Sequence, residues 1–178
     1  MELKLILTGL GGQGVVFLTR LLSKTAVSLG YHIIVCETHG MSQRGGSVIS
    51  HLKIGGSQSP LIRRGTADIL IALEASEAVR SLTFLRQGGT AFVNSDNGLP
   101  PELDDHLQRL NLHVNCLPAS QMAVELGSAA VANTIMAGFA HPFPIENLRQ
   151  TLIELVPRGR ELNLQALAAG YKKKRVDD

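Results

Sequence analysis

The first thirty residues leave this chain little choice of fold. Residues 3–8 (Leu-Lys-Leu-Ile-Leu-Thr) form a nearly continuous apolar run, the pattern of a parallel strand covered on both faces. The run stops at Gly9-Leu10-Gly11-Gly12-Gln13-Gly14, after which Val15, Leu18, Leu22, Ala26 and Leu29 recur at helical spacing as far as Gly30. A second apolar run, Ile33-Ile34-Val35-Cys36, ends on Glu37. Strand, glycine turn, helix and strand make a βαβ unit. It predicts an α/β fold with a Rossmann-like, doubly wound, mostly parallel sheet, helices on both faces and, from the later sequence, a helical C-terminal portion.

Gly9, Gly11 and Gly14 stand in the G-x-G-x-x-G spacing. A turn this tight needs dihedrals that glycine adopts cheaply, and a missing side chain lets a ligand approach the backbone amides. The helix that follows aims its unpaired N–H groups and partial positive charge at that place, which suits a phosphate or carboxylate. Glu37 lies where a dinucleotide-binding fold keeps its ribose-binding acid, so a nicotinamide cofactor is one expectation. Close packing of strand on helix, with no ligand, is another.

Composition narrows the classes. A chain of 178 residues, 44% hydrophobic and 18% charged, suits one soluble globular domain spanning residues 1–178. A formal net charge of +2 gives no footprint for nucleic acid, and 4% aromatic residues without tryptophan supply few stacking platforms. No apolar run approaches the roughly 20 residues that span a bilayer, and the chain enters its first strand without a signal peptide, so a cytoplasmic protein is expected. Cys36 and Cys116 have no Cys or His neighbour at metal-ligand spacing. They read as buried free thiols, and no metal site is assigned to this chain.

Further along, residues 48–54 alternate apolar and polar, which predicts a half-exposed strand at a sheet edge or in a hairpin. Residues 67–73 predict a buried strand, 75–86 its helix, ended by Gly88-Gly89, and 91–93 another strand. A short helix after Pro100-Pro101, a strand through Leu112, Val114 and Cys116, and helices over 120–126, 129–140, 145–156 and about 161–169 follow. Residues 129–140 are small or apolar nearly all round, so that helix is buried in the core or against another subunit. The basic end, about 171–178, reads as a solvated tail.

The segment His39-Gly40-Met41-Ser42-Gln43-Arg44-Gly45-Gly46-Ser47 has neither helical nor strand periodicity. As a loop leaving the C-terminal end of the second strand, it belongs at the edge where doubly wound sheets bind ligands. A glycine pair beside Arg44 offers bare amides next to a fixed cation, suited to an anion with several oxygens. Ser42, Gln43 and Ser47 add neutral hydrogen-bond partners, and His39 has the chemistry to move a proton near neutral pH. A loop whose polar residues satisfy only one another is the alternative.

The two motifs together, Gly9–Gly14 and His39–Ser47, resemble the gamma-type subunit of the 2-oxoacid:ferredoxin oxidoreductases. The Gly-Met-Ser-Gln-Arg-Gly-Gly form resembles most closely the small (beta) subunit of the indolepyruvate enzymes, and the similarity runs from the first strand to Asn133. The resemblance implies one subunit of a hetero-oligomer that oxidatively decarboxylates a 2-oxoacid to an acyl-coenzyme A and reduces ferredoxin. Thiamine diphosphate would supply the carbon chemistry and 4Fe-4S clusters the electron path. This sequence has neither the cluster cysteines nor a thiamine-binding signature, so those groups are expected on a larger subunit, with no cofactor bound by this chain alone.

On that resemblance, Gly9, Gly11, Gly12, Gln13 and Gly14 with Ser42, Gln43, Arg44, Gly45, Gly46 and Ser47 form an anion-holding wall near the partner's active site. The anion is a phosphate of coenzyme A or, second, the carboxylate of the 2-oxoacid. Arg63 and Arg64 are candidates to extend the wall. Neither nucleic acid nor membrane is expected as a partner. A free-standing NAD(P)-binding oxidoreductase and a non-catalytic interaction module stand as alternatives.

Overall fold

The alternation inside the first strand decides how the sheet is covered. In β1 (Leu3–Leu10), Leu5 and Leu7 enter one hydrophobic core and Ile6 enters a second on the opposite face. All three are fully buried, which is why the strand reads as an unbroken apolar run rather than an alternating one. The computed structural model describes residues 2–39, 45–56 and 59–177; the side chains of residue 39 and of residues 174–177 are not described.

Leu18, Leu21, Leu22 and Ala26 of α1 (Val15–Ser28) close the first core, leaving Arg20 and Lys24 outward. Four later helices join them: α4 (Ala119–Glu125), α5 (Ala132–Ala140), α6 (Ile145–Leu155) and α7 (Arg160–Asp177). The second core lies under α2 (Ala75–Ser81) and α3 (Asp104–Arg109), with Ile62, Ala78 and Leu82 against the sheet. The sheet is thus sandwiched between helices, as the opening βαβ pattern predicts.

Six strands form it in the order β2-β3-β1-β4-β5-β6. These are β2 (Ile33–His39), β3 (Ser47–Ile54), β4 (Ala67–Ala72), β5 (Leu85–Asn94) and β6 (His113–Leu117) around β1. β1, β4, β5 and β6 run parallel, whereas β3 pairs antiparallel with both β1 and β2. The hairpin expected for residues 48–54 is present, but its second strand is interior rather than at an edge. His51 and Lys53, the polar side of the alternation, are 5% and 7% exposed. Phe84, in the 3₁₀ turn after α2, and the segment at Ile62 pack on His51, and no local pattern announces such a cover.

The helix after β4 is shorter than residues 75–86 predict. It ends at Ser81 in a 3₁₀ turn, and Gly88-Gly89 lie inside β5, where the pairing with β4 shifts register. Gly88 takes φ 70° there, so the glycines serve a bulge and not a helix stop. At the other end α7 continues through Asp177, and the backbone of the basic tail is helical. Cys36 and Cys116 are half-buried free thiols rather than fully buried ones.

Of the two placements open to residues 129–140, the structure provides cover within the chain. Every residue of α5 from Asn133 to Ala140 is buried. The α5–α7 crossing is exceptionally close: a Cβ on Gly138 would overlap the Leu167 carbonyl, and one on Gly170 would overlap the Ile135 carbonyl. Two glycines, one from each helix, let the backbones touch.

Candidate functional site

The C-terminal ends of β1, β4, β5 and β6 share one rim, the edge at which open α/β sheets take their ligands. Both glycine bends arrive there. The Gly11 N–H donates to the Gly46 carbonyl at 2.9 Å, just beyond the register pair Leu10–Ser47. The segment expected from sequence to lie near the first turn therefore touches it, because β3 is the strand beside β1. Ser42, Gln43 and Arg44 lie outside the described residues, as does the His39 side chain; the His39 backbone ends β2 opposite Val48.

The glycines of the first bend have different duties. Gly9 is buried, and a Cβ there would press on Gln13, Val15 and Leu73. Gly11 faces the second bend, with Gly45 N 3.5 Å from where its Cβ would stand. Gly14 takes φ 88° and would overlap the Asn133 amide if it carried a side chain. Gly12, at φ 98°, alone of the four has nothing within 4 Å of that position. It is the bare backbone that a ligand can reach.

Gln13 ties the bend together. Its Oε1 accepts from Leu10 N–H at 2.7 Å and its Nε2 donates to Glu74 Oε2 at 2.9 Å. Ser47, at the foot of the second bend, donates its hydroxyl to Glu77 Oε2 at 2.5 Å. Glu77 is 2% exposed and also takes Arg80 Nη1 at 2.9 Å. Gln13 and Ser47 thus already spend their side chains on carboxylates of this chain, which leaves backbone amides to meet a ligand.

A cavity of about 550 Å³ opens beside Gly12 and Gln13. Asn94, Ser120 and Asn133 supply its polar groups; Leu73 and alanines at the head of α5 supply the rest. Asn94 Nδ2 donates to Ser120 Oγ at 2.7 Å and to the Leu73 carbonyl, while Asn94 Oδ1 accepts from Ser120 N–H. Asn133 Nδ2 donates to the Gln13 carbonyl at 3.4 Å, and the Thr134 hydroxyl lies 3.0 Å from Asn163 Oδ1 on α7. Among the described residues, no charged side chain lines this cavity. It suits a neutral, hydrogen-bonding group, and a charged one needs the amides and a cation at its rim.

Glu74, Glu77, Asn94 and Ser120 were not singled out by motif. Their signal in the sequence is positional: Glu74 follows the apolar run of β4, Asn94 ends that of β5, and Ser120 follows β6. Polar residues at those strand ends lie on the ligand edge. Arg63 and Arg64 are not brought into the wall. They are exposed and precede Ala67, the start of β4, at the opposite rim.

Strand order also places Cys36, Cys116 and Glu37. Cys36 and Cys116 lie on β2 and β6, the two outer strands, roughly 24 Å apart at about 4.8 Å per strand. They do not fit a shared iron–sulfur cluster, and no group of three His, Cys, Asp or Glu gathers among the described residues. Glu37 pairs with Ser50 of β3, so a whole strand separates it from β1. That takes it roughly 10 Å from β1, out of the ribose position beside the first glycine turn. Among the described residues no helix is long and apolar enough to cross a membrane.

Comparison with known proteins gives a consistent result. The family model for pyruvate ferredoxin/flavodoxin oxidoreductase matches residues 4–173. The indolepyruvate oxidoreductase subunit IorB of Archaeoglobus fulgidus is 34% identical, over 97% of this chain and 96% of that protein. Among solved structures, the gamma subunit of keto/oxoacid ferredoxin oxidoreductase from Geobacter sulfurreducens PCA superposes with a TM-score of 0.77 at 24% identity, covering 98% of this chain and 99% of that one. The 2-oxoglutarate:ferredoxin oxidoreductase from Magnetococcus marinus, solved with 2-oxoglutarate, coenzyme A and succinyl-CoA bound, superposes with a TM-score of 0.83 at 17% identity. It covers 98% of this chain but 31% of that one.

Proposed function

The chain belongs to the pyruvate ferredoxin/flavodoxin oxidoreductase family and is a subunit of a 2-oxoacid:ferredoxin oxidoreductase, and from that premise we propose that it is the small subunit of an enzyme for indolepyruvate-like arylpyruvates. Its part is to present an anion-holding wall to a larger subunit. The enzyme converts the 2-oxoacid and coenzyme A to an acyl-coenzyme A and carbon dioxide and passes the electrons to ferredoxin. Thiamine diphosphate, carried with the 4Fe-4S clusters by the larger subunit, supplies the electron sink for decarboxylation when bound. The aryl preference rests on the name of the Archaeoglobus relative.

The observation that carries the wall is the contact of Gly11 with Gly46, which joins two glycine-bearing bends at one rim. Gly12 bares its backbone to the cavity, and Gly14, having no side chain, gives no side-chain cap to the first amides of α1. These amides and Arg44 hold the acidic group, a phosphate of coenzyme A in the first instance and the 2-oxoacid carboxylate in the second. His39, at the end of β2, is the candidate for moving a proton there.

Charge makes Arg44 decisive. Glu74 and Glu77 stand behind the bends; Arg80 pairs with Glu77, and the remaining negative field repels an anion unless a further cation offsets it. Arg44→Ala in the complex reconstituted with its larger subunit should raise the apparent KM for coenzyme A by about 10- to 100-fold, the worth of a hydrogen bond to a charged group. An unchanged KM for both coenzyme A and the 2-oxoacid would remove Arg44 from the site. A higher kcat/KM for pyruvate or 2-oxoglutarate than for indolepyruvate would overturn the aryl preference.

A further inference from the structure

Resting on the wall proposed above, we infer that Glu77, acting through Ser47, is a positioning residue that sets where the second glycine bend lies against the first. Glu77 is a carboxylate 2% exposed on the first turns of α2. A buried charge is costly unless hydrogen-bonded and paired. Among the described residues its partners are the Ser47 hydroxyl at 2.5 Å and the Arg80 guanidinium at 2.9 Å. Arg80 is 72% exposed, so the pair with it is solvent-screened and explains little of why the carboxylate is inside. The Ser47 bond is the one the burial serves.

Ser47 follows Gly45-Gly46 directly and begins β3. Fixing its side chain to α2 fixes the Gly46 carbonyl, which receives the Gly11 N–H. One turn earlier, Glu74 receives Gln13 Nε2 from the first bend. The head of α2 therefore grips both bends, one carboxylate each, and their spacing is set by the rigid helix rather than by the bends themselves. Neither carboxylate needs to touch the ligand.

The brace predicts coupling. In the reconstituted complex, Ser47→Ala and Glu77→Gln should each raise the apparent KM for coenzyme A with little change in kcat, by up to about 10²-fold, the cost a misplacement of about 1 Å can carry. The double substitution should raise it no further than the larger single effect, because both remove the same contact. In the full chain, hydrogen exchange at the Gly11 amide should accelerate in each variant, while the melting temperature of Glu77→Gln stays close to that of the wild type. Additive effects in the double variant, or Gly11 exchange as slow as in the wild type, overturn the brace whatever Arg44→Ala does. Faster exchange with KM unchanged in the Arg44 and Ser47 variants alike sustains the brace and overturns the wall.

Discussion

On β3 the imidazole of His51 is 5% exposed, edge-on to Phe84 at 5.5 Å, and its Nδ1 accepts the Ile62 N–H at 3.2 Å. Accepting at Nδ1 requires the neutral ring, and burial, then the charge of Lys53, holds its pKa below the usual histidine value. In the unfolded chain the ring takes its proton near pH 6.5. Below that pH the unfolded state binds the extra proton and is favoured; above it the penalty vanishes. Melting temperatures at pH 7.5 and pH 5.5 should therefore show a loss on acidification that His51→Gln reduces, and an equal loss in both proteins would sink the assignment. Gly14 carries a second residue-scale expectation. Gly14→Ala meets both a left-handed φ and the Asn133 amide, and should cost about 1–3 kcal/mol of stability from the backbone alone. Adding Asn133→Ala should relieve the collision but not the dihedral, so the pair's effects fall short of a sum in urea titrations.

Helices α5 and α7 meet backbone to backbone, where Gly138 and Gly170 sit against each other's helix. A methyl group at either place has only main-chain atoms to displace, and those do not rotate away as side chains do. Gly138→Ala and Gly170→Ala should each destabilise the chain by at least about 1–3 kcal/mol, the usual cost of overpacking, read as a lower denaturation midpoint. A neutral Gly170→Ala would mean that the two helix backbones do not touch there in solution. The same pair shows where sequence stops being informative. The apolar circumference of residues 129–140 announces burial, yet only the meeting of two glycines far apart in sequence shows that α7 provides it. β3 repeats the lesson from the other direction. His51 and Lys53 alternating with Leu52 and Ile54 give the signature of a half-exposed strand, but Phe84 and Ile62 arrive from later in the chain and pack on His51. Periodicity reports a residue's immediate rhythm and is blind to what the rest of the chain lays over it.

At the scale of the whole molecule, the order of strands separates this chain from a dinucleotide-binding protein with the same glycine spacing. The run from β1 through the glycine turn to α1 was legible because it is local, and the seating of both bends at one rim followed from the parallel sheet. The insertion of β3 between β1 and β2 was not legible, since a loop of the same length could equally have left β2 beside β1. That insertion has two consequences for a pyrophosphate. Glu37 is carried one strand away from the turn. Gly11, whose missing side chain would admit the phosphates in a dinucleotide fold, instead gives its amide to Gly46 and has Gly45 against its bare face. The seat is filled by the chain's own second bend. Titration of the full chain with NADH, followed by calorimetry or by nicotinamide fluorescence, should therefore show no saturable binding in the micromolar range. Saturable binding lost in Glu37→Ala would mean that the two bends separate in solution and that Glu37 returns to a ribose-binding position. Binding unaffected by that substitution would place the cofactor elsewhere on the molecule. In the first of these outcomes the contact between Gly11 and Gly46 could not persist with cofactor bound, and exchange at the Gly11 amide, measured with and without NADH, would register its loss.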